Sequence, residues 1–208
     1  MKHFCSLFLA CLMLLLCLVG CGEETPEKEY AEGLTYRNLP DGTCAVQDAG
    51  TFEGEVLRLP DKSPDGKSIT QIDGYAFENN ETLTEVYFPS SLKVIGPYAF
   101  AGCAGISSVT LPDGLTEIGM YAFSRCTELN QIYLGSSLTA VGDGAFNACS
   151  GLTYAFWRGD AAAWRQVDVG SGNSAATLAG VLHFYSEKAP REDGFFWYYQ
   201  GGAIRIWG

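Results

Sequence analysis

Several groups of residues in this 208-residue chain are of types that chemistry uses. Cys103, Cys126 and Cys149 follow one another at intervals of 23 residues. Zinc would need ligands converging on one point, and the sequence offers neither a Cys-x-x-Cys pair nor a companion histidine. Spacing this regular points instead to equivalent positions in stacked units, whose side chains project in parallel. Parallel projection gives poor disulfide geometry, so free buried thiols are expected. His183 is one of two histidines, the other being His3. It stands in Val181-Leu182-His183-Phe184-Tyr185, an expected strand, and no Gly-x-Ser-x-Gly elbow accompanies it, so its expected role is structural. Gly170-Ser171-Gly172-Asn173-Ser174-Ala175 fits the Gly-x-Gly-x-x-Ala dinucleotide pattern. That pattern binds phosphate only between a strand and a helix, with an acid about 20 residues on, and here it reads as a turn. Glu192 and Asp193 are adjacent and point apart on a strand, which rules out a glycosidase pair. The sequence therefore implies no enzyme, no cofactor and no metal site.

The first twenty residues, MKHFCSLFLACLMLLLCLVG, carry one lysine and then 17 residues, Phe4 to Gly20, without a charge. This is the plan of an export signal, and its length lies at the bottom of the roughly 17–25 residues that span a bilayer. Leu18-Val19-Gly20-Cys21 resembles the lipobox of bacterial lipoproteins. The resemblance implies cleavage after Gly20 and a lipid on Cys21. Residues 21–32, rich in glutamate, then form a flexible spacer.

The whole chain has 24 acidic against 13 basic residues and a formal net charge of −11. An acidic surface argues against nucleic acid and anionic lipid as partners, because both require a basic face. Contact with the membrane is therefore expected through the lipid at Cys21 alone, outside the bacterial cell membrane.

The 23-residue interval of the cysteines extends to most of the middle of the chain. Ala76-Phe77, Ala99-Phe100, Ala122-Phe123 and Ala145-Phe146 align without a gap. So do Val86, Val109, Ile132 and Ala155, and so do Leu83, Ile106, Leu129 and Leu152. A fixed period in this range is the signature of a solenoid, in which each unit supplies the wall that its neighbour lacks. The alternation over Val86-Tyr87-Phe88 and its copies suits short parallel strands, ended by Pro89 and Pro112. Gly96, Gly119 and Gly142 suit a corner that needs positive φ or tight packing.

IGPYAFAGC, IGMYAFSRC and VGDGAFNAC, each preceded by a strand ending in proline or glycine, resemble the BspA-type leucine-rich repeat. The likeness runs over 69–157, and the flanking segments are similar to the lead-in and closing segments of that family. It implies a surface protein, here a lipoprotein, that binds host or partner proteins. The departure is that only about four units are recognisable, near the minimum for a stable stack, so the flanking segments must contribute much of the fold.

The expected architecture is a β-rich solenoid of about four 23-residue units with short parallel strands. Residues 33–68 form an N-terminal cap of β-hairpins, with a turn at Pro64-Asp65-Gly66-Lys67 before the array. Residues 158–208 form a C-terminal cap: a helix over 161–167 with Asp160 as N-cap, then a hairpin over 195–207. Outward strand positions form the candidate site: Glu85 and Tyr87, Ser108 and Thr110, Gln131 and Tyr133, Tyr154 and Phe156. Tyrosine gives large amphipathic contact area and is enriched at interfaces, although it also simply suits a half-exposed sheet. The expected function is a membrane-anchored cell-surface module that binds a protein or a glycan at this face. The alternatives are a structural envelope module and an extracytoplasmic enzyme or solute-binding lipoprotein.

Overall fold

The computed structural model describes residues 30–173, 182–188, 195–201 and 203–207. The run 1–20 expected to be an export signal, Cys21, most of the expected spacer and the Glu192-Asp193 pair lie outside the described residues. Among the described residues the chain winds as a β-solenoid of about six turns with one short helix. Its first ladder contains β1 (Thr35–Asn38), β2 (Cys44–Asp48), β4 (Ile69–Ile72), β6 (Val94–Ile95), β8 (Glu117–Ile118), β10 (Ala140–Val141) and β12 (Asp168–Val169). The second runs through β7 (Ser108–Thr110), β9 (Gln131–Leu134), β11 (Tyr154–Trp157), β13 (Leu182–Tyr185), β14 (Phe196–Gln200) and β15 (Ala203–Ile206). A separate pair, β3 (Val56–Arg58) with β5 (Glu85–Tyr87), continues the same side of the coil. Among these strands pairing is parallel except in the terminal hairpins β1–β2 and β14–β15.

A third side consists of turns that are bonded from coil to coil. The Phe77, Phe100 and Phe123 amides donate to the carbonyls of Ala99, Ala122 and Ala145, each at 2.8 Å. The ladder ends at Phe146, whose amide donates to Asn173 Oδ1 at 3.1 Å while Asn173 Nδ2 donates to the Gly142 carbonyl. Asn173 thus takes the place of a further coil, which satisfies a buried donor that would otherwise be left open.

Inside, the four phenylalanines form a single file. Phe77, Phe100, Phe123 and Phe146 are stacked at 5.1, 5.3 and 5.7 Å with planes within 8° of parallel. Each is at most 2 % exposed, and burying such a ring stabilises by about 1.5–3 kcal/mol. The corner glycines serve tight packing and not positive φ. A Cβ on Gly119 would lie 2.6 Å from the Gly96 carbonyl carbon, and one on Gly142 would lie 2.4 Å from the Met120 amide nitrogen. The left-handed backbone falls on tyrosines nearby: Tyr75, Tyr98 and Tyr121 have φ of 64°, 57° and 53°.

Four units at the 23-residue period are present, and the flanking segments continue the stack beyond them. The N-terminal hairpin forms as β1–β2, but Val46 of β2 also pairs with Ile72, and Leu57 of β3 with Val86. At the other end Val169 pairs with Val141 and Leu182 with Ala155. These partners lie 26 to 29 positions apart, so a fixed shift of 23 misses them. The turn at 64–67 is present, with the Gly66 amide donating to the Ser63 carbonyl. The helix α1 is one turn, Ala161–Trp164, capped by Asp160 accepting from the Ala163 amide. Trp164 packs edge-on against Trp157 as its anchor.

Candidate functional site

Inward residues of the second side alternate with outward ones, as a pleated strand requires. Val86, Val109, Ile132 and Ala155 are buried, at most 6 % exposed. Outward residues stand in register: Ser108 beside Gln131 beside Tyr154, and Thr110 beside Tyr133 beside Phe156. The face is not one sheet, however, because β5 pairs with β3 and is not laddered to β7. Between them lies a depression of ≈ 510 Å³, lined by Glu85, Tyr87, Phe88, Ser107, Ser108 and Thr110 among others.

The eight expected site residues separate into three groups. Glu85, Tyr87, Ser108 and Thr110 are exposed, and Gln131, Tyr133 and Tyr154 are half-buried. Phe156 is 3 % exposed, so the expectation that it lies open on the face is corrected. Its side chain does point outward, but Trp197 of β14 closes edge-on over it at 5.8 Å and His183 tilts against it at 5.4 Å. Strand alternation gives direction only; whether another segment covers the position is a long-range fact.

Tyr87 and Tyr133 are held in the same way. Each hydroxyl donates to the side chain two residues back, Tyr87 to Glu85 Oε2 at 2.7 Å and Tyr133 to Gln131 Oε1 at 2.8 Å. Desolvation, with Tyr199 adding to it, pushes the Tyr133 hydroxyl pKa up, so it remains a donor. The ring of Tyr133 stacks on Phe156 at 4.9 Å, and the Arg58 guanidinium lies 3.7 Å over the centre of Tyr87.

Two sets of exposed or half-buried residues were missed in the sequence. Val56 and Arg58 extend the face onto β3. The signal was present, because Leu57-Arg58-Leu59-Pro60 has the same form as Val86-Tyr87-Phe88-Pro89, but at a spacing of 29. The other set is Tyr75, Tyr98 and Tyr121 on the turn side, stacked at 5.0 and 5.1 Å, with Tyr75 57 % exposed. These are the tyrosines of the repeated phrase itself.

The residues weighed for chemistry sit in packing roles. Cys103, Cys126 and Cys149 are free and buried, donating to the carbonyls of Phe77, Phe100 and Phe123 at 3.1, 3.3 and 3.0 Å. Burial pushes the Cys103 thiol up to about 12, which keeps it protonated and unreactive. His183 is 5 % exposed among the rings of Tyr154, Phe156 and Phe195. Gly170 packs on the neighbouring coil, where a Cβ would lie 2.6 Å from the Asp143 amide nitrogen, and Gly170 to Asn173 form a turn. Residues 174 and 175 of that pattern lie outside the described residues. Among the described residues no three His, Cys, Asp or Glu side chains are grouped to hold a metal ion.

Residues 64–160 match the BspA type Leucine rich repeat region. No curated protein is significantly similar to the chain. Among solved structures, a Leucine Rich Repeat protein of T. pallidum is 28% identical with a TM-score of 0.66, covering 77% of this chain and 72% of its own. A leucine-rich repeat protein of Bacteroides capillosus is 27% identical with a TM-score of 0.54, covering 61% of this chain and 95% of its own. A leucine rich cell surface protein of Faecalibacterium prausnitzii shares the fold at 21% identity and a TM-score of 0.51, over 66% of this chain and 41% of its own. Together with the coil-on-coil ladders and the phenylalanine file, these likenesses make residues 64–160 a BspA-type leucine-rich repeat region, carried on the solenoid of bacterial leucine-rich repeat proteins.

Proposed function

We propose that this chain is an exported bacterial cell-surface protein, anchored through a lipid on Cys21, that captures a partner on the face formed by β3, β5, β7 and β9. The observation that carries the reading is the pair Tyr87 and Tyr133, each exposed in part on a rigid parallel stack and fixed by a hydrogen bond from its own hydroxyl. Side chains immobilised in advance lose little entropy on binding, and buried aromatics supply most of the energy at interfaces. The solenoid can hold such a face rigid, since β3 is bonded to β5 on one part of it, and β7 to β9 and β9 to β11 on the other. Export is supported by the signal-like run 1–20 and by a protein of the same fold in F. prausnitzii that resides at the cell surface. A binding module is the role this face suits; the buried thiols and histidine described above are engaged in packing.

The test displays the full chain on cells and measures adhesion to arrays of immobilised host proteins and glycans. The Tyr87→Ser and Tyr133→Ser double variant is expected to lose adhesion while its circular dichroism spectrum stays unchanged. Undiminished adhesion would remove this face from consideration. For the anchor, Cys21→Ala should prevent incorporation of labelled fatty acid and release the protein from the membrane fraction; retention of the label would refute it.

A further inference from the structure

One turn of the first regular coil departs from the repeat. Position 80 is asparagine where the next three coils carry Cys103, Cys126 and Cys149. The turn itself is the same: the Asn80 amide donates to the Phe77 carbonyl at 3.2 Å, as the Cys103 amide does to the Phe100 carbonyl at 3.2 Å. The three thiols are buried, each donating to a carbonyl of the coil before. Asn80 is half-buried, and its Oδ1 accepts from the Thr82 amide at 3.2 Å and from the Thr82 hydroxyl at 2.8 Å. Such a turn needs only the acceptor oxygen, and an aspartate serves it equally well. Asp41 does so in this chain, its Oδ1 accepting from the Thr43 amide at 3.0 Å and from the Thr43 hydroxyl at 2.6 Å. What asparagine adds at position 80 is Nδ2, which donates to no described residue. The turn around it is open to solvent, with Glu78, Asn79, Glu81 and Thr82 all exposed.

We propose that Asn80 is an N-glycosylation acceptor. The proposal goes beyond the capture face and rests only on the export part of the reading above. Asn80-Glu81-Thr82 has the Asn-x-Thr form of an acceptor on the surface of an exported protein. None of the other five asparagines is followed two residues on by serine or threonine. Glu78, two residues before Asn80, supplies the acid that bacterial oligosaccharyltransferases also read. The co-reactant is an oligosaccharide linked to a polyprenyl diphosphate. Nδ2 attacks its anomeric carbon, and the new C–N bond forms as the bond from that carbon to the diphosphate oxygen breaks. The polyprenyl diphosphate leaves with the electron pair, and the amide proton passes to a carboxylate of the transferase. Because Thr82 engages Oδ1 with both its amide and its hydroxyl, Nδ2 is the free end of the carboxamide.

The purified full chain, in detergent, is incubated with a purified bacterial oligosaccharyltransferase and a polyprenyl-diphosphate-linked oligosaccharide. The masses of the whole chain and of its tryptic peptide 68–93 are then measured. A gain of one oligosaccharide, carried on that peptide at Asn80, is expected. Asn80→Asp keeps the acceptor oxygen that Asp41 uses in the same kind of turn, so it should fold as the native chain does and lose the whole mass shift. Thr82→Val should lose the shift as well, whereas Thr82→Ser should keep it. An unmodified native chain, or a shift that survives Asn80→Asp, overturns the assignment. The reaction is run on purified components, so its failure leaves the surface reading standing. Absence of the chain from the cell envelope would refute export, with Asn80 still an acceptor in the tube.

Discussion

Replacing Phe123 by alanine is expected to lower the free energy of unfolding by about 3–5 kcal/mol. Phe123 is fully buried and is an interior member of the phenylalanine file, stacked on Phe100 at 5.3 Å and on Phe146 at 5.7 Å. Its loss removes the transfer energy of one ring, leaves a cavity, and breaks two ring contacts, each worth about 0.5–1.5 kcal/mol beyond area. Phe77 stands at the end of the file with one such partner, at 5.1 Å. Phe77→Ala should therefore cost measurably less than Phe123→Ala in the same urea titration. A cycle of Phe100→Ala with Phe123→Ala should give a coupling of about 0.5–1.5 kcal/mol, because the two rings touch. Equal costs for the end and middle positions would contradict a stack in which each coil depends on its neighbours.

That file was legible in the sequence because its members recur at a constant 23 residues, and a stacked coil turns constant spacing into vertical alignment. The strands around it were legible for the same reason, from Val86 through Ala155. The coils at either end were hidden by insertions. Val46 lies 26 residues before its partner Ile72, and Leu57 lies 29 before Val86, although each fills the same inward place as the regular copies. A solenoid tolerates such insertions where a loop bulges outward, so the three-dimensional repeat is more regular than the linear one.

The candidate site was legible in direction and not in cover. Alternation placed Tyr87, Thr110, Tyr133 and Phe156 on one side, and all four do point there. Whether Phe156 is open depends on Trp197, 41 residues further on, and local periodicity carries no information about it. The tyrosine file at Tyr75, Tyr98 and Tyr121 was obscured by a residue rule. Positive φ is expected at glycine, and Gly96 and Gly119 sit two residues before Tyr98 and Tyr121. The glycines are used instead where neighbouring backbones nearly touch, and the left-handed conformation is left to tyrosine at a cost of about 1–3 kcal/mol each. Bonds from the Tyr75, Tyr98 and Tyr121 amides to the carbonyls of Pro97, Met120 and Asp143 hold that conformation in place.

The segment that covers Phe156 yields the second large effect. Trp197 is 2 % exposed, donates from Nε1 to the Trp157 carbonyl at 3.0 Å, and meets the rings of Phe156, Tyr185 and Tyr199 at 5.8, 5.0 and 5.1 Å. It thus ties the closing hairpin β14–β15 to both the last regular strand β11 and the irregular strand β13. Trp197→Ala should cost about 3–5 kcal/mol, whereas Trp197→Phe, which keeps a ring and loses the hydrogen bond, should cost about 1–2 kcal/mol. Because coils in a solenoid contact only their neighbours, the alanine variant should open at one end. Hydrogen exchange at the amides of 182–185 is then expected to accelerate strongly, while that of β2 and β4 stays slow. Equal acceleration along the whole chain would mean that the closing hairpin and the first coils unfold as one unit, and that the hairpin is no separable lid over Phe156.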